Sequence, residues 1–321
     1  MIDSVILLAP LWTPLAAVAL DMAIGDPPAL PHPVRAIGKA AAWMEPRLRP
    51  IAGPFFAGVL GLLFMLCATS AVVCPLLLLP GVWALLPCVY LACAGLALGQ
   101  LLREGRRALA FISRNDSENA RRAVGSLVSR DVRKADMNEL CRVLAETMSE
   151  NINDAFIAPF FWLATGGPLG LWLYKTVSTL DSMWGYPYPP WTQFGAAAAR
   201  ADDMLAYIPA RLTALFLLAA AFPFGLHKNW PGFAVIQRQA ASMKSPNAGW
   251  PMSVCAWLHH AHMGGHAVYD GKPTEKPRLG PQDAAWDIAK INTLLTHLRL
   301  TGILAAVMLW LCLTVPLFLL L

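Results

Sequence analysis

From Pro50 to Leu102 the chain carries no charged side chain. About 20 apolar residues cross the hydrocarbon of a bilayer, so this run is long enough for two spans. Pro75 and Pro80 mark the turn between them. A soluble fold has about 25% charged residues, whereas here 14% are charged, 57% are hydrophobic and the mean hydropathy is +0.50. Further apolar stretches run from Val5 to Ala23, Ala155 to Tyr174, Leu205 to Leu226 and Thr301 to Leu321. The expected fold is an all-α integral membrane protein with about four to six transmembrane helices. It forms a single multi-pass domain over residues 1–321, with a large cytoplasmic helical loop at 103–150 and a polar loop region at 227–300.

Net charge is modest, +5, and no Lys/Arg run points to nucleic acid. Between Arg103 and Glu150 ten Lys/Arg stand against eight Asp/Glu, and a basic excess beside span ends marks the cytoplasmic side. The N-terminus has Asp3 in place of a basic leader and reads as an uncleaved span. Ile37–Leu48, with Trp43 and Arg47, reads as a short interfacial helix. The seven cysteines form no CxxC pair and read as small buried hydrophobes. The segment 155–174 is broken by Pro159 and Gly166-Gly167-Pro168, so it either crosses or dips in and returns. If 155–174 and 205–226 both cross, the acids at 181 and 202 lie on the outer side. If both return, every polar motif faces the cytoplasm.

The acids are the chemically pointed feature. Glu146, Glu150 and Asp154 follow one another at i, i+4 on a helix opened by Asp136 and Glu139 as a capping box. Like charges at that spacing repel unless a cation lies between them. Together with Asp181 and Asp202 they are the candidate metal ligands, oxygen donors suited to Mg²⁺. Upstream, Ser117 is the candidate cap of the helix that follows Asn115-Asp116. A proline-rich loop, Asp26 to Arg35, holds His32 and Arg35, and Ser245-Pro246-Asn247-Ala248-Gly249-Trp250-Pro251 reads as a fixed turn. Arg35 and Arg130 suit a phosphate or a carboxylate. His32, or one of the acids, is the candidate base for deprotonating an amine. No GxxxxGK[ST] and no GxGxxG occurs.

In order along the chain, Asp21…Gly25-Asp26-Pro27…Pro31-His32-Pro33-Val34-Arg35, Ser129-Arg130-Asp131, Glu150-Asn151 with Asp154 and Thr179-Leu180-Asp181-Ser182-Met183 form one set of signatures. Asp202-Asp203 with Ile208-Pro209-Ala210-Arg211, and Ser245 to Pro251, complete it. These resemble the signatures of the adenosylcobinamide-phosphate synthase family of cobalamin biosynthesis, the CobD/CbiB type. The resemblance implies an inner-membrane enzyme that joins an aminopropanol unit, free or as its O-phosphate, to the propionate carboxylate of adenosylcobyric acid. It implies ATP and Mg²⁺, and an association with other membrane enzymes of that pathway. Glu150, Asp154, Asp181 and His32 are then the catalytic candidates. Asp26, Arg35, Ser129, Arg130, Asp131, Asn151, Ser245, Asn247 and Trp250 are the substrate-binding ones. The rival readings are a metal-dependent phosphotransferase, a transporter and an inactive relative.

Two positions depart from the family pattern. Met252 stands where an acid is common, and the segment Trp257 to His266 is rich in histidine. His262 and His266 at i, i+4 are expected on one helix face, a spacing that can bind a metal.

Overall fold

The computed structural model describes residues 8–25, 32–51, 53–186, 188–269 and 271–320. It falls into two compact units, one of Met1–Ala97, Ala158–Ala206 and Ala306–Leu321, the other of Leu98–Ile157 and Tyr207–Ala305. Five helical stretches are long and apolar enough to cross a membrane: Pro54–Leu77, Gly81–Ser113, Met137–Trp184, Tyr207–Phe224 and Ile288–Leu320. The protein is an all-helical integral membrane protein, with one β-hairpin among the described residues.

In the first unit, α1 covers Ala9–Ala23, and the expected start of that span at Val5 lies outside the described residues. Helix α2, Pro33–Leu48, is amphipathic, with Trp43 60% exposed and the Arg47 guanidinium 4.1 Å from its ring centre. It covers the expected helical segment 37–48, starting four residues earlier. Helix α3, Pro54–Leu77, exposes Phe55, Phe56, Leu60, Leu63, Phe64 and Val72. Lipid, not water, is the solvent for such a face. After the turn at Pro80 comes α4, Leu85–Ala94.

Helix α8, Ala158–Trp184, decides the ambiguous segment. At Gly167 φ is 60° and ψ is −161°, backbone open in practice only to glycine, and Pro168 follows. A Cβ on Gly170 would lie 2.7 Å from the Trp162 carbonyl oxygen, and Ala158 shares a buried cluster with Tyr174. In a straight helix those pairs would stand about 12 Å and about 24 Å apart. The helix therefore folds back on itself, which is the backbone path of the returning alternative. Thr314 donates to the Ala164 carbonyl near the tip. Two short helices, α9 (Trp191–Phe194) and α10 (Ala196–Leu205), follow, and α10 packs along α8.

In the second unit, α5 is Leu98–Ser113, α6 is Ser117–Gly125 and α7 is Met137–Ile152. Asp136 accepts from the Glu139 N–H, as the capping pattern predicts. At α6 the cap is Asp116, whose carboxylate accepts from the Asn119 N–H, and not the expected Ser117. Helix α7 is the core of this unit, with Val143, Leu144, Ala145 and Met148 fully buried. It runs into a single π-turn, Asn153–Ile157. The unit continues with α11 (Tyr207–Ala220), α12 (Phe233–Ala241) and α13 (Gly249–Leu258). The hairpin β1 (Met263–Tyr269) and β2 (Lys272–Leu279) is antiparallel, with Gly265 opposite Lys276 and Tyr269 opposite Lys272. Helix α14, Ile288–Leu309, ends this unit at Ala305; its last turn, a second π-turn, Trp310–Thr314, and α15, Val315–Leu320, belong to the first unit.

Residues 227–300 are thus not a polar loop but two helices, a hairpin and the start of a third helix. The histidines are not on one helix either. Helix α13 ends at Leu258, His260 has φ 47°, and His266 lies exposed on β1. The i, i+4 spacing of His262 and His266 therefore has no helix to act on.

Gly167→Ala is expected to destabilise the protein by about 1–3 kcal/mol, because alanine resists this backbone conformation. Gly166→Ala, where an added Cβ meets nothing within 4 Å, should be tolerated. Thermal unfolding in detergent checks the pair; equal melting points would refute the folded-back geometry.

Candidate functional site

Helix α7 positions the site of the second unit. Glu146 is fully buried, and its carboxylate is neutralised from within the protein. Arg130 donates to Oε2. Arg142 and the Gly264 N–H donate to Oε1 at 3.2 and 2.8 Å. Arg142 also donates to the Gly264 and His266 carbonyls, fastening β1 to α7. This corrects the expectation for Glu146 as a metal ligand: the cation between the like charges is arginine, and the carboxylate oxygens are already engaged.

Arg130 is the residue of Ser129-Arg130-Asp131 that faces inward. Burial opposes its charge, Glu146 more than offsets this, and its pKa stays above the usual guanidinium value. Its Nη1 is buried with no protein partner. Ser129 is exposed. Asp131 turns to Arg133, whose side-chain and backbone donors hold its pKa down to about 2. Its N–H donates to the Val268 carbonyl, 2.8 Å away.

One turn beyond Glu146, Glu150 is under the charges of Asp154 and Glu146 and, against them, of Lys276 and Arg130. Asp154 lies in the π-turn, so the carboxylate row leaves regular α-helix before its third member. Asn153 donates to Asp154 Oδ1 at 2.7 Å and accepts from the Thr213 hydroxyl at 3.0 Å. Asn151 is engaged on its own helix, donating to the Thr147 carbonyl and hydroxyl.

The turn from Ser245 to Pro251 works as a mount. The Ser245 hydroxyl accepts from the N–H groups of Asn247 and Ala248, and Asn247 is buried with its Oδ1 2.7 Å from Arg211 Nη1. Trp250 is half-buried, its ring centre 5.0 Å from the Arg211 guanidinium. Met252 is 1% exposed, so the position that departs from the family pattern points into the core.

The remaining candidates belong to the first unit. His32 is the N-cap of α2, its Nδ1 accepting from the Val34 N–H. Arg35 is exposed in the same first turn. Asp181 is half-buried on α8, and a Cβ on Gly185 would lie 1.9 Å from its Oδ1, so a glycine is required there. Asp202 is half-buried on α10. Asp26 lies outside the described residues. Among the described residues, no three His, Cys, Asp or Glu side chains are grouped to hold a metal ion.

Residues 14–301 match the family model described as CobD/Cbib protein. The chain belongs to the CobD/CbiB family. It is 37% identical over 271 residues to a cobalamin biosynthesis protein CobD of Pelobacter propionicus, covering 82% of this chain and 83% of that one. It is 38% identical over 283 residues to a protein of the same name from Geobacter metallireducens, covering 85% and 88%. A third, from Listeria monocytogenes, is 36% identical over 270 residues, covering 81% and 85%. No solved structure matches the chain. Family and spans together make this a membrane-embedded protein of cobalamin biosynthesis. Outside the quoted signature residues, and missed by sequence reasoning, are Arg142, Asn153 and Thr213, which hold Glu146 and Asp154, and Lys276, whose charge opposes Glu150.

Two histidines of this CobD/CbiB chain, His259 and His297, form a buried pair. His297 Nε2 lies 2.8 Å from the Leu217 carbonyl, which can only accept, so His297 Nδ1 receives the proton of His259 Nε2 at 3.1 Å. Burial, reinforced by His297 and Lys290, pushes the His259 pKa down to about 3.

Two outcomes follow. Glu146→Gln should lower stability by about 3–5 kcal/mol, since it leaves a buried arginine without its counter-charge. Asp131→Asn, at an exposed pair, should change little; similar losses in thermal melts would contradict the buried network. Separately, the unfolded chain protonates His259 near 6.5 while the folded chain resists until about 3. Stability is therefore flat above pH 7 and falls as the pH drops from about 6.5 toward about 3. His259→Asn should flatten that slope; an unchanged slope in melts between pH 7 and 4 would remove His259 from it.

Proposed function

We propose that this CobD/CbiB protein is an amide ligase of the cytoplasmic membrane. It joins an aminopropanol unit, or its O-phosphate, to the propionate carboxylate of adenosylcobyric acid, with ATP and Mg²⁺. The observation that carries the reading is the buried, unpartnered Nη1 of Arg130, whose charge is felt by Glu150, itself neighboured by Asp154. An orphaned guanidinium donor inside a protein calls for an acceptor from outside it. A corrin carboxylate or a phosphate oxygen supplies one.

The donor set fits a hard cation. Glu150 and Asp154 are neighbouring carboxylates, and Mg²⁺ is commonly held by one or two carboxylates together with phosphate oxygens. Glu146 is left out, its oxygens being engaged by Arg130, Arg142 and Gly264. Bound there, nucleotide and metal would supply the activation that a carboxylate needs before an amine can displace phosphate from it. The chain's own residues do the rest. Arg130 binds and orients an anionic oxygen, and Asn153 with Thr213 keeps Asp154 aimed. Forming the C–N bond releases one proton from the amine. Glu150, held between Asp154 and the charges of Lys276 and Arg130, is the carboxylate suited to take it. Asp181, Asp202, His32 and Arg35 keep their assignment as further site residues of the first unit.

The test is amide formation by purified protein given adenosylcobyric acid, the amine in either form, ATP and Mg²⁺, each omitted in turn. Product should vanish without ATP or Mg²⁺. Glu150→Gln and Asp154→Asn should each lower turnover by on the order of 10²-fold or more while melting like wild type. Absence of product from well-folded protein with both amines would overturn the ligase reading.

A further inference from the structure

Arg211 plays no part in the carboxylate network around Glu146, and its setting differs from that of the arginines there. It stands near the start of α11, which belongs to the candidate membrane span Tyr207–Phe224. Its Nη1 is fixed twice, donating to Asn247 Oδ1 at 2.7 Å and to the Tyr207 carbonyl at 3.0 Å. Its flat face lies 3.5 Å from the Tyr207 ring centre and 5.0 Å from that of Trp250. Arg130, Arg142, Arg122 and Arg133 each have a carboxylate within 4 Å, and Arg211 has none among the described residues. Neither Nε nor Nη2 has a hydrogen-bond partner there, and neither is sealed from solvent.

The pieces have one chemical sense. An arginine on a mobile surface swings, and a structural arginine is satisfied by a carboxylate. Arg211 is anchored by one nitrogen, braced by two aromatic rings and left with its remaining donor edge open. That edge is the planar fork that meets two oxygens of a tetrahedral or planar oxyanion at once. The mount is built for it. Ser245 fixes the backbone at Asn247 and Ala248, and Asn247, 4% exposed, has its amide oxygen on Nη1. Two residues beyond Arg211 on the same helix, Thr213 holds Asn153 and through it Asp154. The open guanidinium edge and, through Asn153, Asp154 thus both connect to one turn of α11.

We propose that Arg211 is a phosphate-binding residue, its Nε–Nη2 edge receiving the oxygens of a phosphate group. Two sources present that chemistry here, a phosphorylated small substrate and the headgroup of a phospholipid at the membrane surface. Naming the substrate as a phosphorylated amine rests on the ligase reading; the binding of phosphate does not.

The test titrates detergent-purified full-length protein by calorimetry with aminopropanol O-phosphate, with inorganic phosphate and with unphosphorylated aminopropanol, and measures retained phospholipid phosphorus in the same preparations. Arg211→Gln should weaken binding of the phosphate ester by on the order of 10–100-fold and leave the unphosphorylated amine unaffected, with Arg211→Lys between them. Loss of phospholipid instead, with ester binding unchanged, assigns the phosphate to a headgroup. Should Arg211→Gln fail to fold, Asn247→Asp replaces it: the near-isosteric carboxylate gives Arg211 an internal counter-ion and should weaken phosphate binding in folded protein. Unchanged ester affinity together with unchanged phospholipid in these variants overturns the proposal. Intact, Arg211-dependent phosphate binding in a protein that makes no amide would overturn the ligase reading alone.

Discussion

A carboxylate with no access to water holds the second unit together. Glu146 is stable as an ion only because Arg130, Arg142 and the Gly264 N–H surround it. These partners come from three places, the turn before α7, α7 itself and the first strand of the hairpin. Removing any one leaves charge stranded in low dielectric, where attraction no longer offsets desolvation. The network therefore sets the positions of three elements at once. Arg142 continues it through the carbonyls of Gly264 and His266, and the Asp131 N–H adds a second tie to the hairpin at Val268. The open donor of Arg130 and the next acid along α7, Glu150, inherit their places from this arrangement.

Charge and apolarity made the outline of the fold readable in advance. An uncharged run is decisive because no cheap alternative exists for it, and the spans around Pro54–Leu77 and Ile288–Leu320 follow directly. The cap at Asp136 was readable because capping is local. Whether 155–174 crosses or returns was not, since both forms share a composition. The deciding feature is one dihedral pair at Gly167, and Gly166-Gly167-Pro168 announces a break without giving its angle. The hairpin at 263–279 was missed for a related reason. Its second strand is polar and holds two prolines, and Trp257 to His266 reads as helix until Gly264 and Gly265, both at positive φ, are taken as stops.

The site was legible as a set of residue types and not as a set of tasks. Of the motif residues, Arg130 alone combines burial with an open donor. Ser245, Asn247, Asp131, Asn151 and His32 each use their polar atoms on the protein's own backbone or on a neighbour's side chain. A signature of this kind mixes groups that meet a ligand with groups that aim them, and spacing along the chain cannot separate the two. The link from Asn247 to Arg211 spans 36 positions and the one from Thr213 to Asn153 spans 60. Such pairs become visible only when the elements have been brought together.

The π-turn at Asn153–Ile157 explains why three acids in a row do not simply repel. In an uninterrupted helix, 146, 150 and 154 would stack on one face with nothing but side-chain flexibility to part them. Here the first is closed off by two arginines, and the third sits in a wider turn, where Asn153 holds it and Thr213 holds Asn153. Glu150 is left between a carboxylate on either side and the charges of Lys276 and Arg130. The irregular helix thus parts the acidic stripe into a neutralised Glu146 and a separate neighbouring pair, Glu150 and Asp154.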